Sequence, residues 1–197
     1  LGLRNIQTET VYIHTSLHSP ERMQAFYEAI DAADLVVLAF PLYVDSLPAP
    51  TIEALERIAA HRSGQTSRKR FAAIANCGFP EARHNDAALA ICVTFAQQVG
   101  FDWAGALALG AGEGMVHGIP LNEMDGRAIP LKKALDLAAE ALAKGEAIPS
   151  AAQDILAKPF IHGWLYRVMG AYGWRQQARE WGAQDHLHRQ PYKMKRA

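Results

Sequence analysis

Only two cysteines occur in 197 residues, Cys77 and Cys92, and neither sits at a metal-ligand spacing. Their scarcity excludes a disulfide framework and fits a reducing compartment, where each reads first as a small buried hydrophobe. Net charge is also missing. Twenty Lys/Arg are matched by twenty Asp/Glu, and no basic run is interleaved with aromatics, so nucleic acid is not an expected partner. No apolar run approaches the roughly 18 residues needed to span a bilayer, and the start has no signal-peptide pattern. The expectation is a cytoplasmic protein without an integral membrane segment. Half of the residues are hydrophobic and a fifth are charged, which suits one globular core.

The chain then alternates two periodicities. Thr10-Val11-Tyr12-Ile13 reads as a short strand, and Ser19-Pro20-Glu21 as an N-cap, a proline at the first helical position and an acidic first turn. A helix follows to about Ala32, with Met23, Phe26, Tyr27 and Ile30 on one face. Residues 33–40 form an apolar run without alternation, as a parallel strand covered on both sides requires. The same reading gives a helix over 51–60, a strand over 70–77, a helix over 81–99, a strand over 101–109 and a helix over 130–144. Strand and helix in this order predict a doubly wound parallel sheet, with ligand loops beyond the strand carboxyl ends. Three loops occupy such ends: 41–48, 76–80 and 110–114.

From Pro149 onward the composition shifts to Phe160, Trp164, Tyr166, Tyr172, Trp174, Trp181 and Tyr192, with eight Lys/Arg against three Asp/Glu from Ala151 to Ala197. The expected division is a domain over 1–149 and a basic, aromatic, helical extension over 150–197. Aromatic clusters of this kind mark interfaces, so the extension is expected to serve a homo-oligomer or a lid, ahead of an amphipathic membrane contact. His14 and His18 fall on a strand end and a loop, without a third ligand. His84, His117, His162, His186 and His188 likewise lack partners in sequence, and no metal site is expected.

Asp34-Leu35-Val36-Val37-Leu38 leading into Pro41-Leu42-Tyr43, together with Asn76-Cys77-Gly78-Phe79 and Gly110-Ala111-Gly112-Glu113-Gly114, resembles the flavodoxin-like NAD(P)H-dependent FMN reductase family. The tail segments Gly173-Trp174-Arg175, Asp185-His186-Leu187 and Arg189-Gln190-Pro191-Tyr192 are similar to the C-terminal extension of some of its members. The resemblance implies FMN and NAD(P)H as cofactors, with hydride passing from nicotinamide to flavin and on to a small acceptor such as a quinone. No catalytic side chain is implied, because the flavin accepts hydride itself. On this reading the backbone of Pro41, Leu42, Tyr43, Val44 and Asp45 lines the flavin ring edge, and Tyr43 offers a flat face. Asn76 and Gly78 would donate hydrogen bonds to the ring, Cys77 lies between them and Phe79 packs beside it. Gly112 and Glu113 would meet a ribityl or nicotinamide group.

The family opens with a strand and a Ser/Gly loop that hold the FMN phosphate, and Leu1 to Thr8 is too short to supply them. The 10–13 strand would then be the family's second, leaving a gap where a central strand belongs. The chain is then expected to be a fragment of a longer product or, alternatively, a rearranged fold pairing the second strand with the third. Ser16 or Ser19, ahead of the helix that begins at Pro20, is the substitute phosphate contact that the sequence offers, in a loop without glycine. The competing functional class is a non-catalytic flavodoxin-like interaction module that has lost flavin binding.

Overall fold

A computed structural model describes residues 6–65, 69–116, 118–124 and 126–190. Two compact units divide between Phe160 and Ile161. In the first, α1 (Ile13–Ser16) and α2 (Pro20–Ala32) precede β1 (Leu35–Pro41), α3 (Ala49–His61), β2 (Arg70–Asn76) and α4 (Asp86–Gln98). There follow β3 (Asp102–Leu109), the short α5 (Gly112–Val116), α6 (Ile129–Ala143) and α7 (Ser150–Ala157). The second unit is built on α8 (Gly163–Glu180). The sequence reading put the division at 149/150, but α7 buries Ala152 and Leu156 in the same core as β3 and α6.

The sheet is parallel, in the order β1-β2-β3 among the described residues. Its two faces bury separate cores. Met23, Phe26 and Ile30 of α2, Leu55 and Ile58 of α3, and Cys92 and Phe95 of α4 pack on one face, around Leu38, Phe40 and Phe71. Leu131, Ala134 and Ala138 of α6, with α7, pack on the other, around Ala72, Ala104 and Leu107. This is the doubly wound, flavodoxin-like arrangement that the alternating periodicities predict. β3 carries a bulge opposite Ala72, and Gly105 sits there at φ +100°, where a Cβ would lie 3.0 Å from the Ile148 Cβ. The bulge lets the segment before α7 dock, its Ile148 N–H donating to the Ala104 carbonyl at 2.8 Å.

One expected strand is absent. Residues 10–13 do not pair with the sheet; instead Tyr12 caps α1, its carbonyl accepting from the N–H groups of Thr15 and Ser16, both at 3.1 Å. Val11 and Tyr12 are exposed, so this β-branched run lacks the packed neighbours that make such residues a strand. No gap between two strands arises here, because residues 10–13 form no strand; among the described residues β1 pairs with β2 alone. The cap at Ser19 is as expected: its hydroxyl accepts from the Arg22 N–H at 3.3 Å.

At the amino end of the sheet, a polar latch ties three elements together. The Asp31 carboxylate at the end of α2 meets Arg62, just past α3, and His61 Nε2 at 2.8 Å. Arg62 is buried and lies 4.7 Å over the Phe101 ring, while His61 stacks on Tyr27 with ring centroids 4.2 Å apart. Burial pushes the Asp31 carboxyl up, but the hydrogen bonds and charges of His61 and Arg62 outweigh it and hold the group below the usual carboxylate range. A lowered folded value means stability that is present above the unfolded value of about 3.9 and lost as pH falls through the folded one. Asp31→Asn is expected to remove that acid-side loss from urea unfolding curves. It should also cost about 2 kcal/mol at neutral pH by leaving the buried Arg62 guanidinium without its carboxylate, a figure moderated by the carboxylate's own partial exposure. A variant as stable as the wild type at neutral pH contradicts the latch.

Candidate functional site

The carboxyl ends of β1, β2 and β3 are joined by a chain of backbone hydrogen bonds. Leu42 N–H, just past β1, donates to the Asn76 carbonyl at 2.7 Å. Cys77 N–H donates to the Leu109 carbonyl at 2.9 Å, and the Cys77 carbonyl accepts from Gly112 N–H at 3.2 Å. Ala111 N–H donates to the Phe79 carbonyl at 2.6 Å. The three loops singled out in the sequence are thus one connected edge.

Within the first loop, Tyr43 and Ser46 exchange both backbone hydrogen bonds, at 2.9 and 3.0 Å, around Val44 and Asp45 at φ +50° and +57°. Two central residues with positive φ make a hairpin turn of the kind that favours Asn-Gly. Val44 is a poor residue for it, because a β-branched side chain crowds its own backbone in the left-handed region. The only other non-glycine residue with positive φ among the described residues is Ala111, at +54°, in the third loop. All three strained positions therefore sit on the ligand side of the sheet. Pro41 ends β1 exposed, Tyr43 is 62% exposed and Val44 stands fully in solvent, while Leu42 packs partly into the core.

The second loop is held from beneath. Cys77 is buried, its thiol donating to the Phe79 carbonyl at 3.4 Å, and burial pushes that thiol up. With its backbone engaged on both sides, Cys77 fastens loops together and presents no reactive sulfur. Burial pushes Cys92, inside the core, up to about 12. Gly78 is exposed, and a Cβ there would meet nothing within 4 Å. Phe79 is 54% exposed and leans on His84, the ring centroids 4.5 Å apart. Sequence reasoning left His84 out, since it carries no periodic or motif signal; the 3₁₀ turn Ala82–Asn85 brings it back under Phe79. Asn85 is another omission. It is fully buried, and its side-chain amide donates to the carbonyls of Ala82 and Leu109 at 3.0 and 3.2 Å, tying the second loop to the third.

Asn76 has a buried Oδ1 with no hydrogen-bond partner among the described residues. Gly112 closes on it so tightly that a Cβ would lie 1.9 Å from that oxygen. Gly110 is equally constrained, since its Cβ would lie 2.3 Å from the Pro80 carbonyl oxygen. Asn85 Oδ1 is likewise buried without a partner, and with the exposed rings of Tyr43 and Phe79 on the first and second loops this glycine-lined edge fits a flat ligand. The fit does not extend to a phosphate. The Ser16 hydroxyl is spent on the Tyr12 carbonyl at 3.1 Å, and Ser19 is occupied as the cap of α2. Neither substitutes for a phosphate loop. The side chain of Glu113 and all of His117 lie outside the described residues, as does Tyr192.

Two substitutions test this local geometry by chemical denaturation. Val44→Asn should stabilise the protein by about 1 kcal/mol, because it relieves the left-handed strain at a site with no packing to lose. Gly110→Ala should cost about 2 kcal/mol, because the obstacle is backbone and cannot rotate away. A destabilised Val44→Asn or a neutral Gly110→Ala contradicts the geometry.

The comparisons agree with this architecture. The family model of the NADPH-dependent FMN reductases matches residues 3–112, more than half of the chain, and takes in all three strands and the loops as far as Gly112. No curated protein matches the chain. The chain belongs to the NADPH-dependent FMN reductase family, flavodoxin-like oxidoreductases that use FMN and NAD(P)H.

Proposed function

We propose that this chain passes hydride from a nicotinamide to FMN and on to a small acceptor such as a quinone, with the flavin ring seated on the joined loops. The observation supporting this most is the concentration of backbone strain and of buried polar atoms without a hydrogen-bond partner at the same edge of the sheet: Val44, Asp45 and Ala111 in left-handed backbone, and Asn76 Oδ1 and Asn85 Oδ1 both buried. Strain persists where surrounding structure over-determines it, and it gathers at ligand sites. FMN, when bound, supplies the hydride-accepting ring. The chain contributes position and cover. Backbone at Pro41, Leu42, Val44 and Asp45 borders the ring, while Tyr43 and Phe79 present flat apolar faces that exclude water. Asn76 and Gly78 donate to the ring's carbonyl oxygens. Gly78 leaves room above, Cys77 and Gly112 keep the second and third loops in register, and Glu113 is assigned the role of accepting from a ribityl or nicotinamide group. The basic extension is assigned to association between copies, and a cytoplasmic location goes with this reading.

The direct test is colour. The full chain, mixed with FMN and desalted, should keep a flavin absorption spectrum that bleaches on anaerobic addition of NADPH and recovers when a quinone is added. Asn76→Ala should weaken FMN binding about tenfold, the worth of one buried hydrogen bond, with the circular dichroism unchanged. A colourless, folded protein that takes up no FMN overturns the proposal and favours a flavodoxin-like interaction module.

A further inference from the structure

The candidate edge carries a titratable pair that the path of the hydride leaves unused. His84 lies in the 3₁₀ turn Ala82–Asn85, which follows the second loop directly. Its ring packs against that of Phe79, the centroids 4.5 Å apart at an interplanar angle of 32°, and its side chain keeps 31% of its surface open. The Glu81 carboxylate stands 3.8 Å from Nε2. The residues on either side are tied down. His84 N–H donates to the Glu81 carbonyl at 3.3 Å, the Cys77 thiol donates to the same carbonyl at 3.7 Å, and the fully buried Asn85 bonds the Ala82 and Leu109 carbonyls. Such anchoring holds a half-open imidazole at the edge shared by the second and third loops, with a flank open to water.

The charges around it are mostly negative. The 3₁₀ turn packs against β2, β3, α4 and α7. β2 and β3 place their only charged residues, Arg70 and Asp102, at the opposite end of the sheet. α4 brings Asp86 and α7 brings Asp154, while the loop and the turn add Glu81 and Arg83. That leaves the corner net negative, a field that draws protons from solvent. Other groups at the edge are poor proton donors. Burial pushes the Cys77 thiol up, so it keeps its proton. Carboxylic acids such as Asp45 are ionised at neutral pH and phenols such as Tyr43 hold their protons there, whereas imidazole exchanges one.

We propose that His84 is the proton donor for acceptor reduction, and that the acceptor is of a class with carbonyl oxygens, seated against Phe79 so that one oxygen meets the imidazole. The inference rests on the reductase reading above and adds to it a side chain that touches substrate. NADPH supplies a hydride by way of FMN to one quinone oxygen, imidazolium His84 gives a proton to the other, and water returns a proton to His84. NADPH, one proton and the quinone thus become NADP⁺ and hydroquinone.

Two acceptors separate this role from a structural one, because duroquinone needs the proton and ferricyanide takes electrons alone. In the full chain loaded with FMN and reduced with NADPH, His84→Gln should slow reoxidation by duroquinone about a hundredfold, the lower end of what a positioned acid supplies, and leave the ferricyanide rate within about twofold. Its FMN affinity and its bleaching by NADPH should match the wild type. Wild-type reoxidation by duroquinone should slow as pH rises and His84 loses its proton, a limb that His84→Gln lacks. His84→Ala should recover the quinone rate when imidazole is added. Binding gives a readout without turnover: duroquinone added to the oxidised, FMN-loaded chain in the absence of NADPH should move the His84 ring signal in the proton NMR spectrum, identified by its loss in His84→Gln. An unmoved signal overturns the proposal, as does a His84→Gln chain in which both acceptors slow alike or neither does. A chain that takes up no FMN overturns the reductase reading itself, whereas normal bleaching with an indifferent His84 overturns this inference alone.

Discussion

The ligand side of this protein depends on β2 being paired on both sides and continuing that pairing beyond its own end. Asn76 holds the first loop through Leu42, and Cys77 holds the third through Leu109 and Gly112. A buried amide or carbonyl without a partner is costly, so these bonds fix the spacing of three loops that share no sequence continuity. The core supports the same strand from within. Phe71 of β2 contacts Phe95, Phe101 and Trp103, and Ala72, Ala73 and Ala75 bring helices close on both faces. Rigid at the centre, the sheet can hold unfavourable backbone at its edge.

What the sequence disclosed follows from where the information was local. Leu35 to Phe40 could be recognised as a strand from its unbroken apolar run, but the cover expected on both sides is found on one only, since Val37 and Ala39 are exposed; α2 could be recognised because Ser19 and Pro20 announce a helix start. Thr10 to Ile13 misled for the opposite reason. Its β-branched character is real, but strand formation needs a neighbour, and Tyr12 is used to cap α1. The turn at Val44-Asp45 could not be seen, since neither residue favours left-handed backbone; only the closure between Tyr43 and Ser46 imposes it. The latch of Asp31, His61 and Arg62 and the placement of His84 under Phe79 depend on folding and carry no spacing signal. The bulge at Gly105 resembles any glycine in a strand until Ile148 is seen against it.

The candidate site is consequently better defined at one end than at the other. The side proposed for the ring has buried unpaired amide oxygens, close glycines, exposed aromatic faces and strained loops. Its phosphate side gains nothing from Ser16 or Ser19, whose hydroxyls serve α1 and α2. The asymmetry is consistent with the chemistry, because hydride transfer takes place at the ring, whereas a phosphate contributes affinity and orientation. In the proposed reading, the loops that end β1, β2 and β3 bear on the reactive end.

The account's central claim is that the loops ending β1, β2 and β3 form a single seat for a flavin ring. Amide hydrogen exchange of the full chain, followed with and without FMN, addresses it residue by residue. Added FMN should slow exchange in residues 41–48, 76–80 and 110–115 and leave α2, α3 and the Asp31 latch unchanged. Protection that falls elsewhere, or a uniform response with none centred on these loops, would contradict it.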